Sequence, residues 1–437
     1  MSLMLASQGS STGDGSSGVG WERIRLKYLA EVNPGKAKVN DGCLATFAPM
    51  EALAEWGGLD LSSTRPASEV SQGYTSFRDG DVLFAKITPC FENGKCALAT
   101  GLENGVGYGT TELHVLRRRE DIENRWLFYV ILGHEFRGFG EGSMYGAGGQ
   151  KRVPPEFVEN YKALVPPLPT QKAIANFLDR KTASIDALIE KKEKLLELLA
   201  EKRTALINQA VTKGLDPNVP MKDSGIPWIE EIPEHWETLK VKRLTRILRG
   251  KFSHRPRNDP RFYGGSYPFL QTGEVARAKR TVEGYSQTLN EKGFSVSKEF
   301  PAGTLLMVIT GAKTGHTAIL GFDACFPDSV VGFVPEQSVD RDYLYEVFQA
   351  MQSELLRVAI VSTQENLNVE RIGDLYMPCP PLIEQKRIAG HIRTVSDTQV
   401  RLGTLLDSQK AQLQEYRQSL ITAAVTGQLE IPAEDYE

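Results

Sequence analysis

Two segments of the chain carry a helical pattern of apolar positions. Residues 170–212 contain neither glycine nor proline and are rich in leucine, alanine, glutamate, lysine and glutamine, all of which favour helices. Pro166 and Pro167 precede this segment and Gly214 follows it, as is typical of helix boundaries. The polar run 179–184, with Thr182 as a cap, favours a break before a helix over 182–212. Apolar residues recur there at heptad-like spacing with polar interruptions, as expected of a short coiled coil: Ile185, Leu188, Leu195, Leu199 and Leu206.

The same pattern returns near the end of the chain. Aligned without gaps, residues 165–215 and 379–429 share 17 identities in 51 positions. The identities cluster at both ends, as Pro-Pro-Leu-x-x-Gln-Lys-x-Ile-Ala and as Glu-x-Arg-x-x-Leu-Ile-x-x-Ala-Val-Thr. The second segment has its own apolar stripe: Leu402, Leu406, Leu413 and Leu420. Two chance helices would not share end motifs at a fixed separation, so we interpret the segments as an internal repeat.

The remainder of the chain repeats more faintly. Trp21-Glu-Arg-Ile matches Trp236-Glu-Thr-Leu, and Gly80-Asp-Val-Leu-Phe84 matches Gly303-Thr-Leu-Leu-Met307. Short β-like runs broken by glycine, proline and asparagine predict mixed α/β (α+β) domains. The predicted segments are a disordered Ser/Gly-rich tail (1–20), a globular domain (21–165), a helical region (166–215), a proline-rich acidic linker (216–234), a second globular domain (235–378), a second helical region (379–430) and a tail (431–437).

Composition excludes several classes of protein. With 41% hydrophobic and 24% charged residues, the 437-residue chain can bury sizeable cores. Its five cysteines form no C-x-x-C motif, and no apolar run approaches the roughly 18 residues of a membrane span. The first residues lack the basic region and the long apolar stretch of a signal peptide. We therefore expect a cytoplasmic protein without a disulfide framework or a membrane anchor.

Charge is distributed unevenly along the chain. The net charge is −4, yet residues 240–280 hold twelve lysines and arginines against two acids. A stretch of this kind can neutralise nucleic-acid phosphates. Residues 21–164 hold 17 basic and 19 acidic residues, so charge alone does not indicate nucleic-acid binding by the first domain.

Catalytic motifs are missing from the sequence. The Gly311-Ala-Lys-Thr-Gly-His run only resembles a phosphate-binding loop and lacks its spacing. The six histidines are scattered, and none forms an H-x-x-x-H pair that would indicate a metal site. These observations favour a binding protein, with no metal or catalytic site of its own.

The two helical blocks and the run Asp223-Ser-Gly-Ile-Pro-Trp-Ile-Glu-Glu-Ile-Pro-Glu-His-Trp236 resemble the specificity (S) subunit of type I restriction–modification systems. The resemblance covers roughly residues 21–430. It implies two target-recognition domains separated by two long conserved helices that pair as an antiparallel coiled coil, in a pseudo-twofold repeat. Each domain would read one half of a bipartite double-stranded DNA target.

The resemblance also implies partners. The helices would act as a spacer and dock two methyltransferase subunits, which hold S-adenosylmethionine and methylate adenine at N6. Restriction/translocase subunits that use ATP and Mg²⁺ would join the complex in the cytoplasm of a bacterium or archaeon. The chain itself would be non-catalytic and bind no cofactor. The residues of the two apolar stripes would form the docking surface.

Candidate base-reading residues follow from side-chain chemistry, since arginine, lysine, asparagine and glutamine make bidentate contacts to guanine and adenine. In the first domain they are Lys86, Thr88, Asn93, Lys95, Gln150, Lys151 and Arg152. In the second they are Lys251, Arg255, Arg257, Gln271, Thr272, Lys313, Thr314, Gln364 and Asn366. Two other hypotheses stay open at this point: an interaction scaffold with an incidental basic surface, and a stand-alone DNA methyltransferase or nuclease.

Overall fold

The computed structural model describes residues 20–36, 42–146, 149–254, 258–360 and 367–436. The predicted tail 1–20 therefore lies, except for Gly20, outside the described residues. The chain forms two compact units, the first from residues 1–193 with 407–437, the second from residues 194–406. Each unit thus combines one globular domain with parts of both helical regions.

Among the residues that the structure describes, those up to 213 form the elements β1 to β10 and α1 to α6, of which the last part of α6 belongs to the second unit. The strands are β1 (Glu22–Arg25), β2 (Ala30–Val32), β3 (Leu44–Ala48), β4 (Thr64–Pro66), β5 (Thr75–Arg78), β6 (Val82–Ala85), β7 (Cys96–Leu98), β8 (Val106–Gly109), β9 (Leu113–Arg118) and β10 (Lys162–Val165). The helices are α1 (Leu26–Leu29), α2 (Ala67–Val70), α3 (Asn124–Leu132), α4 (His134–Ser143), α5 (Pro155–Asn160) and α6 (Leu168–Lys213).

Two four-stranded sheets organise this domain, in the orders β2-β9-β6-β7 and β4-β3-β8-β5, and β1 pairs with β10. All four residues of β6 are buried, which explains why this strand is apolar on both faces. Helix α3 packs onto the same sheet and contributes the fully buried Trp126 to the core. The β-like run seen in the sequence is therefore a central strand of the first sheet.

The second unit repeats this plan. Its strands are β11 (Met221–Ile226), β12 (Ile229–Pro233), β13 (Glu237–Lys240), β14 (Thr245–Arg249), β15 (Tyr263–Phe269), β16 (Thr281–Val282), β17 (Gln287–Leu289), β18 (Glu299–Phe300), β19 (Leu305–Val308), β20 (Thr317–Leu320), β21 (Ala324–Cys325), β22 (Val330–Pro335) and β23 (Tyr376–Cys379). Its helices are α7 (Val241–Leu244), α8 (Thr272–Arg277), α9 (Glu291–Ser295), α10 (Arg341–Ala350), α11 (Gln352–Ile360), α12 (Val369–Asp374) and the first part of α13 (Leu382–Val425), whose last part belongs to the first unit.

The sheets of the two units correspond strand by strand. In the second unit the orders are β14-β22-β19-β20-β16 and β17-β15-β21-β18, and β13 pairs with β23. Apart from the added β16, these are the orders of the first unit. The predicted mixed α/β fold and internal repeat are therefore confirmed, and the repeat is far clearer in topology than in sequence.

The long helices are continuous, so the predicted break at 179–184 is wrong. Helix α6 runs for 46 residues and α13 for 44. The Thr182 side chain is buried, and its hydroxyl donates to the carbonyl of Asp179 within the same helix instead of starting a new one. Ile185, one turn further on, packs into the core of the first unit. Gly214 adopts a φ of 76° directly after α6, as expected of a helix stop.

The helices pair antiparallel within each unit, as predicted. In the first unit Asp186 faces Arg417 and Glu193 faces Lys410, with N–O distances of 3.1 and 2.8 Å. In the second unit Ile207 of α6 and Ile392 of α13 share one core. The polar interruptions of the two stripes also meet, since Lys192 Nζ donates to Gln409 Oε1 at 2.6 Å. Both side chains are half-buried, and this hydrogen bond joins the two helices at one position, as polar residues within coiled-coil seams do.

Two segments expected to be irregular have structure. The predicted linker 216–234 contains the hairpin β11–β12, and Ile226, Ile229 and Ile232 pack into the core of the second unit. The predicted C-terminal tail forms a short 3-10 turn over Ala433–Tyr436. There the carboxylate of Asp435, which is 5% exposed, accepts two hydrogen bonds from Arg180 of α6.

We expect Gly250→Ala to destabilise the second unit. A Cβ at residue 250 would collide with the Pro327 carbonyl and with Phe326, both held by neighbouring strand ends. Overpacking of this kind costs about 1–3 kcal/mol. Gly284→Ala is the matched control, because no atom lies within 4 Å of its Cβ position. Thermal unfolding should show a lower midpoint for the first variant only, and equal midpoints would contradict the packing described here.

Candidate nucleic-acid interface

Three loops of the first domain lie at one end of its first sheet. The strand register pairs Val32 with Leu116, Ala85 with Leu113 and Phe84 with Cys96. The residues that follow β2, follow β6 and precede β9 are therefore neighbours. They form the segments 33–36, 86–95 and 110–112.

A fourth segment, residues 149–153, is hydrogen-bonded to the loop that follows β6 at this end of the sheet. The Thr88 backbone N donates to the Lys151 carbonyl at 3.0 Å, and Lys151 N donates to Thr88 Oγ1 at 2.8 Å. Val153 N donates to the carbonyl of Lys86 at 2.8 Å. These bonds bring together five of the seven predicted base readers of the first domain, namely Lys86, Thr88, Gln150, Lys151 and Arg152.

A cleft of about 530 Å³ opens beside these segments. Its lining includes Asn33, Lys36, Lys86, His114 and Arg152, together with the segments 74–76 and 145–146. Within the described part of the chain, the ammonium groups of Lys86 and Lys151 form no hydrogen bond or ion pair. Arg152 differs, because its guanidinium makes a bidentate pair with Glu112, with both N–O distances at 2.9 Å. This pair lowers the pKa of Glu112, which stays a carboxylate and holds Arg152 in one orientation.

His114 forms the floor of the cleft. It is 1% exposed, its Nε2 donates to the Val153 carbonyl at 2.9 Å, and its Nδ1 accepts from Asn33 Nδ2 at 3.0 Å. Asn33 adopts a φ of 52°, and its Oδ1 accepts from Val115 N at 3.1 Å. Burial lowers the pKa of His114 to about 4, so the ring is neutral near pH 7. Sequence analysis missed His114 and Asn33 because their roles depend on contacts 81 residues apart.

The remaining predicted readers of the first domain face a different loop. Asn93 Nδ2 donates to Glu55 Oε1 at 3.1 Å. Lys95 Nζ donates to the carbonyl of Met50 at 3.0 Å. Both side chains are thus tied to the segment 50–58, and only Asn93 is fully exposed.

The second domain builds the equivalent sheet end. Lys251 follows β14, and Lys313 lies in the loop between β19 and β20. Leu367 N donates to the Ile309 carbonyl at 2.9 Å, which matches the Val153–Lys86 bond of the first domain. The predicted readers Arg255, Arg257, Gln364 and Asn366 lie outside the described residues.

Other predicted readers of the second domain have structural contacts. Gln271 caps helix α8 together with Glu274, and its Nε2 donates to Gln287 Oε1 at 3.0 Å. Thr272 is the first residue of that helix and is half-buried. Thr314 is 5% exposed and its hydroxyl donates to the Gly311 carbonyl at 2.7 Å, whereas the neighbouring Lys313 is exposed.

Part of the basic stretch 240–280 is neutralised by acids from elsewhere in the chain. Arg280 pairs with Glu346 and Asp342, at 2.5 and 3.2 Å. Lys242 and Lys240 both contact Asp374 and hold the pKa of this carboxyl at about 2. Counting charges within the stretch therefore overestimates its net charge.

The predicted docking residues divide into three groups. Ile185, Leu406 and Leu420 are buried. Leu199, Leu206 and Leu413 are half-buried. Leu188, Leu195 and Leu402 are 48%, 42% and 38% exposed, and Leu198, Leu405 and Tyr416 are exposed beside the stripes. The long helices thus keep solvent-exposed apolar side chains after they have paired.

No group of histidine, cysteine or acidic residues able to hold a metal ion occurs among the residues that the structure describes. In the same part of the chain, none of the helices combines the length and the apolar character needed to cross a bilayer.

The sequence matches the family model for the type I restriction modification DNA specificity domain twice, over residues 18–198 and 233–406. The chain belongs to this family and carries two copies of its domain. It is 43% identical over 159 residues to the EcoAI specificity subunit, and 36% identical over 199 residues to the EcoEI specificity subunit, both of type I restriction enzymes of Escherichia coli. These alignments cover 36% and 43% of this chain but only 27% and 34% of those subunits.

The fold is shared with solved structures. A chain from a structure that describes complex assembly and conformational transition of the type I R-M system has a TM-score of 0.71 and 19% sequence identity. The similarity covers 94% of this chain and 98% of that chain. The two-domain plan with paired long helices is therefore common to both.

We expect acid to destabilise the first domain through His114. The ordinary pKa of histidine is 6.5, and that of folded His114 is about 4. The unfolded chain therefore binds more protons between these values, and the free energy of unfolding falls as the pH decreases from 6.5 to 4. The loss attributable to His114 is about 3 kcal/mol, since one pKa unit corresponds to about 1.4 kcal/mol.

Urea unfolding at pH 7 and pH 4.5 tests this expectation. His114→Gln removes the titrating group, so the variant should lose less stability than the wild type over this interval. An identical pH dependence in both proteins would show that His114 is not the group responsible.

Proposed function

We propose that this chain is the non-catalytic DNA-specificity subunit of a type I restriction–modification complex. Each of its two domains reads one half of a bipartite double-stranded DNA target. The observation that carries the proposal is the duplicated sheet end, where loops after corresponding strands gather polar and basic side chains in both domains. Membership of the specificity-domain family supports the same conclusion.

The surface around the cleft of the first domain can bind DNA through two kinds of contact. The ammonium groups of Lys86 and Lys151, which have no partner among the described residues, can contact phosphates, which gives affinity without sequence preference. Arg152, oriented by Glu112, presents a fixed guanidinium edge of the kind that recognises guanine. In the second domain Lys251 and Lys313 occupy the corresponding sheet end.

The paired helices serve as spacer and docking site. Both α6 and α13 contribute residues to each unit. Their exposed apolar residues and their duplicated end motifs fit two copies of one partner, which we propose is a methyltransferase subunit. S-adenosylmethionine and adenine-N6 methylation belong to that partner. ATP and Mg²⁺ belong to restriction/translocase subunits, and the complex acts in the cytoplasm of a bacterium or archaeon.

Exchange of residues 21–160 for the corresponding segment of a relative tests the function. The complex with methyltransferase subunits is expressed in cells, and genome-wide adenine methylation identifies the target. We expect one half of the bipartite target to change and the other half to stay the same. A change in both halves would contradict two independent readers. Methyl transfer or DNA cleavage by the purified chain alone would instead identify an enzyme.

The double substitution Leu195→Ser and Leu402→Ser tests the docking surface. Both leucines are well exposed, so the fold should tolerate the changes. Because apolar anchors dominate the binding energy of interfaces, we expect the affinity for the methyltransferase subunit to fall more than tenfold. Leu356→Ser is the control, since Leu356 is 39% exposed and belongs to α11, not to either long helix. Calorimetric titration measures both variants, and equal affinities would exclude this surface.

A further inference from the structure

We infer that Arg417, on the second long helix, positions the base-reading loop 86–95 of the first domain. The inference rests on the proposed function and adds a specificity-determining residue to it. The Glu-x-Arg-x-x-Leu-Ile motif that contains Arg417 is repeated in both helices. Docking of a partner explains exposed residues of the helices, but it does not explain why this arginine is buried.

Arg417 is 8% exposed and joins the helix pair to the globular domain. Its Nη2 donates to the backbone carbonyl of Trp56 at 3.0 Å. Its Nε lies 3.1 Å from Asp186 Oδ1, on the other helix. Nη2 also donates to Asp186 Oδ2 at 3.4 Å, and among the described residues Nε and Nη1 are buried without a hydrogen-bond partner, so the guanidinium is held by Asp186 and the Trp56 carbonyl. The Arg417 side chain is 10% exposed and that of Asp186 is 54% exposed, so the ion pair is only partly buried, and loss of Arg417 would leave the Trp56 carbonyl without this hydrogen bond.

Trp56 has a backbone conformation that needs such support. Its φ of 66° lies in the left-handed region, which bulky residues rarely adopt. The indole ring packs against Arg137, whose Cζ lies 4.2 Å from the ring centroid. The Trp56 backbone N donates to the Gly94 carbonyl at 2.9 Å. Strained residues persist where surrounding contacts hold them, and here one of those contacts comes from Arg417.

Hydrogen bonds tie the segment 50–58 directly to the end of the loop 86–95 and to Cys96. Glu55 accepts the hydrogen bond from Asn93, and the Met50 carbonyl accepts the one from Lys95. Cys96 N donates to the Ala54 carbonyl at 3.3 Å. A continuous set of contacts therefore runs from the helix pair through Trp56 to two of the predicted base readers.

The repeat supplies a matched control. Arg203 occupies the position of Arg417 in the first helix, 214 residues earlier. It is exposed, and its guanidinium forms no hydrogen bond or ion pair with the described residues. The second domain has helix α8 (Thr272–Arg277) after β15, in the place where the first domain has the segment that carries Trp56. The same motif thus anchors a reading loop in one unit only.

Arg417→Ala and Arg203→Ala, made in the full chain in complex with its methyltransferase subunits, test the inference. Methylation is measured on a DNA library in which each half-site is varied separately, and domain exchange assigns the half read by the first domain. For Arg417→Ala we expect about tenfold less discrimination at that half, and no change at the other, since hydrogen bonds to charged groups contribute on this scale. Arg203→Ala should match the wild type. Arg417→Lys, which keeps the charge beside Asp186, should restore part of the discrimination.

Discrimination at the second half-site is an internal control for folding and assembly of the same complex. Equal loss at both halves, or loss of methyltransferase binding, would show a purely structural role and overturn the inference. Unaltered discrimination in Arg417→Ala would also overturn it. A wild-type complex that methylates no bipartite target would overturn the proposed function itself, which is a distinct result.

Discussion

The antiparallel pairing of the two long helices is the constraint on which the rest of the structure depends. Because α6 and α13 run in opposite directions, the end of one helix lies beside the start of the other in each unit. A compact unit is therefore not a sequence repeat: the first unit combines the first domain with the C-terminal part of α13. The polar interruptions of the two apolar stripes meet within this pairing, where Lys192 donates a hydrogen bond to Gln409. Apolar side chains at the ends of both helices then enter the domain cores.

The sheet ends show how one framework can support two different surfaces. The strand order and the bond from the last loop to the first sheet are the same in both domains. The side chains on the loops differ, with an arginine–glutamate pair and a buried neutral histidine in the first domain and a capped helix in the second. Buried strands keep the geometry, while loops at the surface tolerate change. Two domains of one fold can therefore present different recognition chemistry.

Prediction from the sequence worked best where a pattern is local. Helix propensity and heptad spacing indicated both long helices, the family resemblance implied their antiparallel pairing, and the short apolar run at β6 indicated a strand. The expected break near Thr182 was wrong because tertiary packing of a polar segment outweighed its weak helix propensity. For the candidate site, chemistry selected Lys86, Thr88 and Lys151, which the structure brings together. Asn33, Glu112 and His114 were missed because nothing near them in sequence marks their partners.

The sequence by itself determined the repeat, the helices, the mixed α/β class and the absence of recognisable catalytic motifs. Each of these depends only on local composition or on the similarity between two segments of the chain. The tertiary structure decided which charges remain available, because the acids that neutralise Arg280 and Lys242 lie far along the chain. It also decided that one copy of a repeated arginine is buried against Trp56 and the other exposed. The physical reason is the same in both cases: burial and pairing depend on which segments meet in space, and the spacing of residues along one segment does not contain that information.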